Sequence, residues 1–188
     1  EPYIVAGFQA AWWAPRGTAV TFWTMQNNPK HYPPPFSWME RAVVRRAAGW
    51  IAVGRTTADT QLARGRGYDR KPHRVLPLGV DTALFRPDAA AGAAVRAALG
   101  WAAGGPPVVG YLGRFVPAKG LGLLTRALDA VRAPWRALLV GGGPLEADLR
   151  AWAAGRPDRV RVVTGVTHDA VPGYLNAMDV LAAPSQTT

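Results

Sequence analysis

The sequence lacks cysteine altogether, which excludes disulfide bonds and thiolate metal sites and fits a reducing compartment. It also lacks any apolar run close to the roughly 20 residues that a membrane-spanning helix needs. The first residues contain no positively charged segment of the kind that opens a signal peptide. These absences predict a cytoplasmic protein, either free or in peripheral contact with the inner face of the membrane.

Several catalytic and phosphate-binding motifs are missing as well. The chain has no P-loop, no H-E-x-x-H zinc motif, no D-x-D carboxylate pair and no G-x-S-x-G motif. The dinucleotide fingerprint G-x-G-x-x-G fails because Glu146 stands where the last glycine belongs, after Gly141 and Gly143. We therefore expect no metal site, no serine-hydrolase chemistry and no cofactor.

Negative charge is scarce: 12 Asp and Glu residues stand against 22 Lys and Arg residues, which gives a net charge of +10. One interpretation is attraction to an anionic surface, such as a membrane leaflet or nucleic acid. The other is a composition rich in Arg and Ala that reflects GC-rich coding. We favour the second for most of the charge, because the arginines are scattered and no basic and aromatic nucleic-acid module is present. We therefore expect no nucleic-acid partner.

Short apolar segments alternate with segments of helical spacing along most of the chain. The predicted strands are Gly49–Gly54, Arg74–Leu78, Val108–Leu112, Trp135–Val140, Val160–Val163 and Val180–Ala183, and Tyr3–Gly7 is strand-like. The predicted helices are Phe36–Ala48 with Ser37 as N-cap, Thr56–Arg64 with Thr56 or Thr57 as N-cap, Ala93–Leu99, 120–132, 145–154 and 169–178. This alternation predicts an α/β protein with parallel, doubly wound sheets and right-handed crossovers.

A segment rich in Ala and Gly between Asp88 and Pro107 marks the expected change of domain. We place the boundary at residue 88, which gives two domains, 1–88 and 89–188. The chain begins with a residue other than Met and stops just after an apolar strand. We therefore expect an internal fragment of a longer protein, with both domains incomplete.

The segment Gly110–Gly120 combines a strand end, a glycine turn and two separated cations. Gly113 lets a ligand approach the backbone closely, and Arg114 and Lys119 place two positive charges beside it. Turns at the carboxyl ends of parallel strands are where open α/β sheets bind ligands. The pattern predicts a diphosphate ligand, and the alternative is that both cations are solvated loop residues.

Four segments in order resemble the retaining glycosyltransferases of family 4, which have the two-domain GT-B fold. They are Pro77–Pro87, similar to the hinge motif P-N-G-V-D-x-x-x-F-x-P; Gly110–Gly120, similar to the donor loop G-R-x-x-x-x-K-G; Leu138–Leu145, similar to G-x-G-P; and Tyr174–Ser185, similar to A-D-V-x-x-x-P-S. Leu78 departs from the hinge motif, which usually has Asn at this position. The resemblance covers residues 77–185.

The resemblance implies two Rossmann-like domains: the end of an acceptor-side domain with the hinge in 1–88, and the start of a donor-binding domain in 89–188. It implies metal-independent transfer of a hexose from a nucleotide-diphosphate sugar to a sugar, lipid or small-molecule acceptor. Arg114 and Lys119 would be catalytic, stabilising the leaving diphosphate. The donor-binding residues would be Gly113, Gly142, Gly143, Gly165 and Val166, although these positions also fit ordinary turns after strands.

Members of the family carry an acidic E-x7-E element just beyond the P-S strand, and most of their acceptor domain precedes the segment seen here. The resemblance therefore implies that these 188 residues alone are inactive. Two alternatives stay open: a non-catalytic module that binds a nucleotide or phosphosugar, and another GT-B enzyme such as a sugar-nucleotide epimerase. Arg114 and Lys119 in the donor-loop pattern argue against the epimerase.

Tryptophans and arginines are concentrated in the first part of the chain. Trp38, Arg41 and Arg45 share one face of a predicted helix. The wider set also contains Trp12, Trp13, Trp23, Trp50 and Arg46. One interpretation is peripheral contact with anionic lipid, and the other, which we favour, is core tryptophans beside a solvated arginine face.

The polar loop that contains Gln26–Asn28, Lys30 and His31 also has two interpretations. It is either a cleft-facing loop near the acceptor or a proline-rich surface loop. None of the three histidines has the spacing of a metal ligand, so we expect them to be ordinary surface or capping residues.

Overall fold

In the computed structural model, which describes residues 1–101 and 103–186, the chain forms two compact units. The first unit runs from Glu1 to Val80, and the second begins at Asp81. Each unit has its own parallel β-sheet with accompanying helices. Among the described residues, no helix is long and apolar enough to cross a membrane.

The first unit contains the strands β1 (Thr21–Thr24), β2 (Gly49–Ala52) and β3 (His73–Val75) and the helices α1 (Val5–Trp13), α2 (Phe36–Arg46) and α3 (Arg55–Ala63). The three strands are parallel and lie in the order β1-β2-β3. The central strand β2 is almost fully buried because its residues are small or apolar. On it, Trp50 packs edge-on against Tyr68 and donates its Nε1–H to the Tyr68 carbonyl at 3.1 Å.

The strand-like interpretation of Tyr3–Gly7 is wrong, because the helix α1 begins at Val5. The β-branched pair at the start of this segment suggested a strand. The apolar residues that follow, Phe8, Ala11 and Trp12, are spaced three and four apart, which is the helical period.

Two predicted helix caps are also wrong. Helix α2 begins one residue before Ser37, and that serine is buried inside the first turn. Helix α3 begins at Arg55 after an extended Gly54, so neither Thr56 nor Thr57 caps it. Both helices start without a side-chain hydrogen bond to their first N–H groups, so the search for Ser and Thr caps misplaced their starts.

The second unit contains the strands β4 (Val108–Arg114), β5 (Arg136–Gly142), β6 (Val160–Val163) and β7 (Val180–Leu181) and the helices α4 (Ala89–Ala98), α5 (Leu121–Ala130), α6 (Glu146–Ala154) and α7 (Val171–Asn176). The strands pair in parallel in the order β6-β5-β4-β7. Strands β5 and β6 are therefore added in turn on one side of β4, and β7 is then added on the other side of β4. This topology confirms the predicted α/β fold with a doubly wound parallel sheet.

Apolar residues on both faces of β5 form the core of the second unit. Ala137 and Leu139 belong to one buried cluster, whereas Leu138 and Val140 belong to another. Helix α5 packs against the first cluster with leucines spaced three and four residues apart, Leu121, Leu124 and Leu128. Because β5 is covered on both faces, it is a continuous apolar run in the sequence.

Residues 81–88 lie in the second unit, whereas the sequence analysis places the domain boundary at residue 88. The Phe85 ring packs edge-on against His168, and the Asn176 amide donates to the Arg86 carbonyl at 3.0 Å. The backbone N–H of Asp88 donates to Asn176 Oδ1 at 2.8 Å. These contacts with residues distant in sequence attach residues 85–88 to the second unit, and local composition does not reveal them.

Candidate functional site

The carboxyl ends of β4 and β7 lie at the point where the winding of the second sheet reverses. β5 and β6 lie on one side of β4, and β7 lies on the other side. Helices leave neighbouring strands in opposite directions at such a point, which opens a crevice above the strand ends. Arg114 at the end of β4 and Lys119 in the turn that follows are therefore at the expected ligand-binding edge of the sheet.

The turns after β4 and β5 lie side by side. Gly113 is in register with Gly141, and Arg114 is in register with Gly142. The Phe115 N–H donates to the Gly142 carbonyl at 2.8 Å, and the Phe115 carbonyl accepts from the backbone N–H of Leu145 at 3.0 Å. We call Arg114–Lys119 the cation turn and Gly141–Gly143 the glycine turn. These hydrogen bonds join the two turns into one structure.

Two of the three consecutive glycines are required by this packing. A Cβ at Gly141 would overlap the Gly113 carbonyl, and a Cβ at Gly143 would lie 2.7 Å from the Phe115 carbonyl oxygen. Gly142 is exposed, and a Cβ there would meet nothing within 4 Å. Of the predicted donor-binding glycines in this turn, Gly142 therefore faces open space, whereas Gly143 packs against the backbone of Phe115.

Arg114 ends β4 with an exposed side chain, and Lys119 is half-buried at the end of the 3-10 turn Pro117–Lys119. Within residues 1–101 and 103–186, neither side chain forms an ion pair with a carboxylate. Both cations are thus available to an anionic ligand. Gly113, with a φ of +150°, makes the bend between them and the strand.

Tyr111 supports this turn from below, and the sequence analysis did not single it out. Its buried hydroxyl donates to the Arg114 carbonyl at 2.8 Å, and a Cβ at Gly113 would lie 3.0 Å from the same hydroxyl. Burial raises the pKa of Tyr111, and the positive charge of Arg114 opposes that rise. The neutral hydroxyl is therefore kept as a donor to the turn. The sequence signal that could have identified this role is the position of the tyrosine two residues before Gly113.

The segment that follows β7 closes the other side of the Lys119 turn. The Gln186 N–H donates to the Ala118 carbonyl at 3.0 Å. Gly120 has a φ of +68°, and a Cβ there would clash with the Pro184 carbonyl. The predicted P-S motif is thus packed directly against the predicted donor loop, a contact between segments far apart in sequence.

The start of α5 adds a further positive feature beside Lys119. The helix begins directly after Gly120 and has no side-chain hydrogen bond capping its first turn. The first N–H groups of a helix lack partners inside the helix and carry its positive dipole end. An anion in this crevice would meet these N–H groups together with the two cations.

The match to known proteins covers this site. Residues 106–188 match the family model described as glycosyl transferases group 1. The segment includes the cation turn, the glycine turn after β5 and the turn after β6. The loops that form the candidate site therefore all lie inside the matched segment.

Curated relatives extend the similarity beyond this segment. The GDP-mannose-dependent alpha-(1-6)-phosphatidylinositol monomannoside mannosyltransferase of Mycobacterium tuberculosis is 42% identical over 117 residues, which are 60% of this chain and 30% of the relative. The 2-deoxystreptamine glucosyltransferase of Streptomyces kanamyceticus is 33% identical over 153 residues, 78% of this chain and 39% of the relative. The chain thus spans well under half the length of these curated relatives.

Solved structures show the same fold. The crystal structure of Anabaena HepE in complex with UDP matches with a TM-score of 0.76 at 22% identity, over 97% of this chain and 50% of the HepE chain. A glycosyltransferase from Rickettsia africae matches with a TM-score of 0.69 at 16% identity, over 96% of this chain and 48% of that chain. These likenesses confirm the predicted α/β fold of the GT-B type.

Gly165 and Val166 follow β6, next to the glycine turn in the order of the sheet. Gly165 has a φ of +71°, and a Cβ there would meet nothing within 4 Å. Val166 is half-buried and packs against the core cluster that contains Leu138. The carboxyl edge of the second sheet therefore carries the predicted residues strand by strand: Gly113, Arg114 and Lys119 at or after β4, then Gly142 and Gly143 at or after β5, then Gly165 and Val166 after β6.

The polar loop after β1 is held on helix α3 of the first unit. Gln61 donates its amide to the Gln26 carbonyl at 2.9 Å, and the Thr60 hydroxyl donates to the Asn27 carbonyl at 3.0 Å. The side chains of Lys30 and His31 are exposed. The loop is thus held by its backbone, and both interpretations of its role stay predictions.

The tryptophans of the first unit are mostly exposed, so the favoured interpretation as core residues is wrong for all except Trp50. Trp12, Trp13 and Trp38 are 70%, 73% and 63% exposed, and Trp23 is 41% exposed. Trp50 is buried, at 1%. The reason is that α1 and α2 bury other residues, among them Ala11 and Val43.

Proposed function

We propose that the protein is a retaining family 4 glycosyltransferase that moves a sugar from a nucleotide-diphosphate sugar to an acceptor. The observation that carries the proposal is the pair Arg114 and Lys119, unpaired with carboxylates among the described residues and placed at the switch point of a group 1 glycosyltransferase segment. Curated relatives with nucleotide-sugar-dependent names support the same reaction class.

The chemistry of such a transfer suits two fixed cations. When the bond between the sugar and the diphosphate breaks, negative charge grows on the departing oxygens. Cations that hold this charge more tightly as it grows stabilise the transition state more than the ground state and lower the barrier. Arg114 offers a planar set of donors to phosphate oxygens, and Lys119 offers a compact charge. We propose that together they supply the positive charge without a divalent metal.

The glycines of the neighbouring turns would border the rest of the donor. Gly142 has no side chain and faces open space, which lets the diphosphate or sugar approach the backbone. We propose that Gly113 and Gly143 shape the same edge, and that Gly165 and Val166 meet the nucleobase through backbone groups. The acceptor in this proposal is a sugar, a lipid or a small molecule. Relatives named for a phosphatidylinositol mannoside and for 2-deoxystreptamine span these classes.

Calorimetric titration of the chain with UDP and with GDP tests the donor site. We expect Arg114→Ala to weaken binding of the preferred nucleotide about tenfold, because a charge-assisted contact to phosphate is lost. Arg126→Ala removes the same charge from an exposed position on α5 and is the matched control. Equal affinity of wild type and Arg114→Ala would show that the diphosphate binds elsewhere.

Two further measurements test the reaction itself on the complete protein. Release of nucleoside diphosphate in the presence of EDTA is expected if Arg114 and Lys119 replace a metal. The anomeric configuration of the product, read by NMR, is expected to match that of the donor. Nucleotide binding without any sugar transfer would favour the non-catalytic module.

We also propose that the first unit makes peripheral contact with a membrane through Trp12, Trp13 and Trp38. Three large exposed aromatic side chains on α1 and α2 support this proposal, because indole rings favour the membrane interface. Co-sedimentation with phosphatidylglycerol vesicles is expected to fall on Trp12→Ser and Trp13→Ser substitution. The exposed Leu123→Ser in the second unit is the control. Absence of wild-type sedimentation at low salt would refute the contact.

A further inference from the structure

A groove of about 600 Å³ on the first unit is lined by a concentration of positive charge that the proposed reaction does not use. It lies between α2 and the turn that connects α3 with β3. One carboxylate, Asp69, lines it. The cationic side chains that line it are Arg41, Arg45, Arg66, Arg70 and Lys71.

Three of these cations have no ion-pair partner within the part of the chain that the structure describes. In the described part of the chain, Arg41, Arg45 and Arg70 form no side-chain hydrogen bond or ion pair. In the groove, three guanidinium groups without an ion-pair partner among the described residues thus lie near a single carboxylate, Asp69.

The other two cations are held in place by the fold. Lys71 Nζ donates to the carbonyls of Arg45 at 2.9 Å and Ala47 at 2.7 Å, at the end of α2. Arg66 Nη1 donates to the buried Glu40 Oε2 at 3.0 Å. Arg66 also has a φ of +48°, the left-handed region that a non-glycine residue rarely adopts. Two positions in the groove are thus fixed before any ligand arrives.

Like charges gathered in a concave surface repel one another, and the repulsion is relieved when an anion enters. Arg41 and Arg45 are four residues apart on α2, so their side chains lie on one face of the helix and can contact the same anionic group. Guanidinium groups match the geometry of phosphate oxygens, to which they donate paired hydrogen bonds. A groove of this size accommodates a phosphate together with part of the molecule that bears it.

We propose that this groove binds a phosphomonoester group, which carries about two negative charges at neutral pH. The phosphate belongs either to a soluble phosphorylated molecule or to a lipid headgroup. Arg41, Arg45 and Arg70 contact its oxygens, while Arg66 and Lys71 supply charge from fixed positions. The site belongs to the first unit, and the inference stands whether or not the second unit binds a nucleotide sugar.

NMR titration of the ¹⁵N-labelled chain with inorganic phosphate at low ionic strength tests the proposal. We expect saturable shifts of the amide signals of residues 65–71, with chloride at matched ionic strength as the reference anion. The double substitution Arg41→Gln and Arg45→Gln is expected to weaken phosphate binding about tenfold. The matched control, Arg126→Gln with Arg132→Gln, removes the same charge from the second unit and is expected to leave these shifts unchanged. Arg114→Ala, in the donor site, is also expected to leave them unchanged.

All five of the substituted arginines are exposed, so loss of fold is not expected, and circular dichroism checks the fold of each variant. Vesicles of phosphatidylcholine with and without phosphatidic acid identify the source of the phosphate. Binding to phosphatidic acid that the double substitution removes supports a lipid headgroup, and binding of inorganic phosphate without vesicle binding supports a soluble ligand. No amide shift at residues 65–71, or shifts that persist unchanged in the double variant, would overturn the proposal.

Discussion

At the residue scale, Glu40 shows how the first unit accommodates a buried charge. Its Oε1 accepts from the Tyr68 hydroxyl at 2.9 Å, and its Oε2 accepts from Arg66 at 3.0 Å. Arg64 Nη2 lies 3.1 Å from Oε1, an ion pair by distance without the geometry of a hydrogen bond. Burial, together with the charge and hydrogen bond of Glu40, raises the pKa of Tyr68. Glu40 and its three partners stabilise the first unit only together, because a buried charge without a partner raises the free energy of the folded state.

Glu40→Ala is therefore expected to destabilise the protein by about 3 to 5 kcal/mol, because it leaves Arg64 and Arg66 without their counter-ion. The free energy of unfolding in urea measures the effect. Asp59→Ala, at an exposed carboxylate without an ion pair among the described residues, is the control and is expected to change it by less than about 0.5 kcal/mol. A loss below about 1 kcal/mol for Glu40→Ala would contradict the argument.

Asp179 provides the expected dependence on pH. Its Oδ2 accepts from the backbone N–H of Val108 at 2.7 Å, and its Oδ1 lies 2.9 Å from Arg96 Nη2. The backbone hydrogen bond and then Arg96 hold the pKa of Asp179 below its ordinary value, despite an opposing effect of burial. The unfolded state thus binds this proton more tightly than the folded state. The contribution of Asp179 to stability is present above about pH 4 and is lost as the pH falls through the folded-state pKa.

Asp179→Asn is expected to lower the free energy of unfolding by about 1 kcal/mol at neutral pH, a modest value because the carboxylate is partly exposed. The difference from wild type should shrink as the pH is lowered below about 4, since protonation removes the same charge. Urea unfolding at a series of pH values provides the measurement. A difference that stays constant across this range would mean that the charge of Asp179 contributes nothing.

At the scale of elements, the turns around the cation loop depend on glycine for two separable reasons. Gly120 and Gly165 have nearly the same φ, +68° and +71°. A Cβ at Gly120 would clash with the Pro184 carbonyl, whereas a Cβ at Gly165 would meet nothing within 4 Å. The first position therefore combines a backbone requirement with tight packing, and the second has the backbone requirement alone.

Gly165→Ala is expected to cost about 1 kcal/mol of unfolding free energy, the penalty of a left-handed residue with a Cβ. Gly120→Ala is expected to cost about 3 kcal/mol or more, because the segment after β7 must also move. Thermal or urea unfolding of the two variants compares these costs directly. Equal losses would show that the contact between Gly120 and Pro184 does not constrain the loop.

The existence and type of the elements in the second unit could be read from the sequence, because its strands are apolar runs separated by helices with clear periodicity. The strand predicted at Val160–Val163 has the bounds that the structure shows, and the others differ by a few residues. The starts of α2 and α3 could not be read, since neither begins with a capping side chain. The partner of Gly120 could not be read either, because Pro184 is brought to it by the parallel pairing of β4 with β7.

At the scale of the whole molecule, the net charge of +10 makes the folded chain repel itself. The groove at Arg41 and Arg45 concentrates part of this charge. Repulsion between exposed charges is screened by salt over a Debye length of about 10 Å at 0.1 M. The two units have separate hydrophobic cores. The burial of apolar residues in each unit must therefore offset the charge repulsion within that unit.

Raising sodium chloride from low to near-physiological concentration is therefore expected to increase the urea midpoint. The double variant Arg41→Gln and Arg45→Gln should show a smaller increase, because two of the clustered charges are gone. Equilibrium unfolding monitored by tryptophan fluorescence follows both proteins. A midpoint that is independent of salt in the wild type would show that the excess charge is already compensated.

The α/β class, the parallel sheet of the second unit and the position of Arg114 and Lys119 at the end of a buried strand could all be read from the residue pattern. They could be read because these features depend on local periodicity, glycine turns and spacing within about ten residues. The tertiary structure alone decided which tryptophans are exposed, that Tyr111 and Pro184 support the cation turn, and that Arg66 and Lys71 join Arg41 and Arg45 in one groove. These features arise from contacts between residues far apart along the chain, where burial and charge depend on packing that no local pattern encodes.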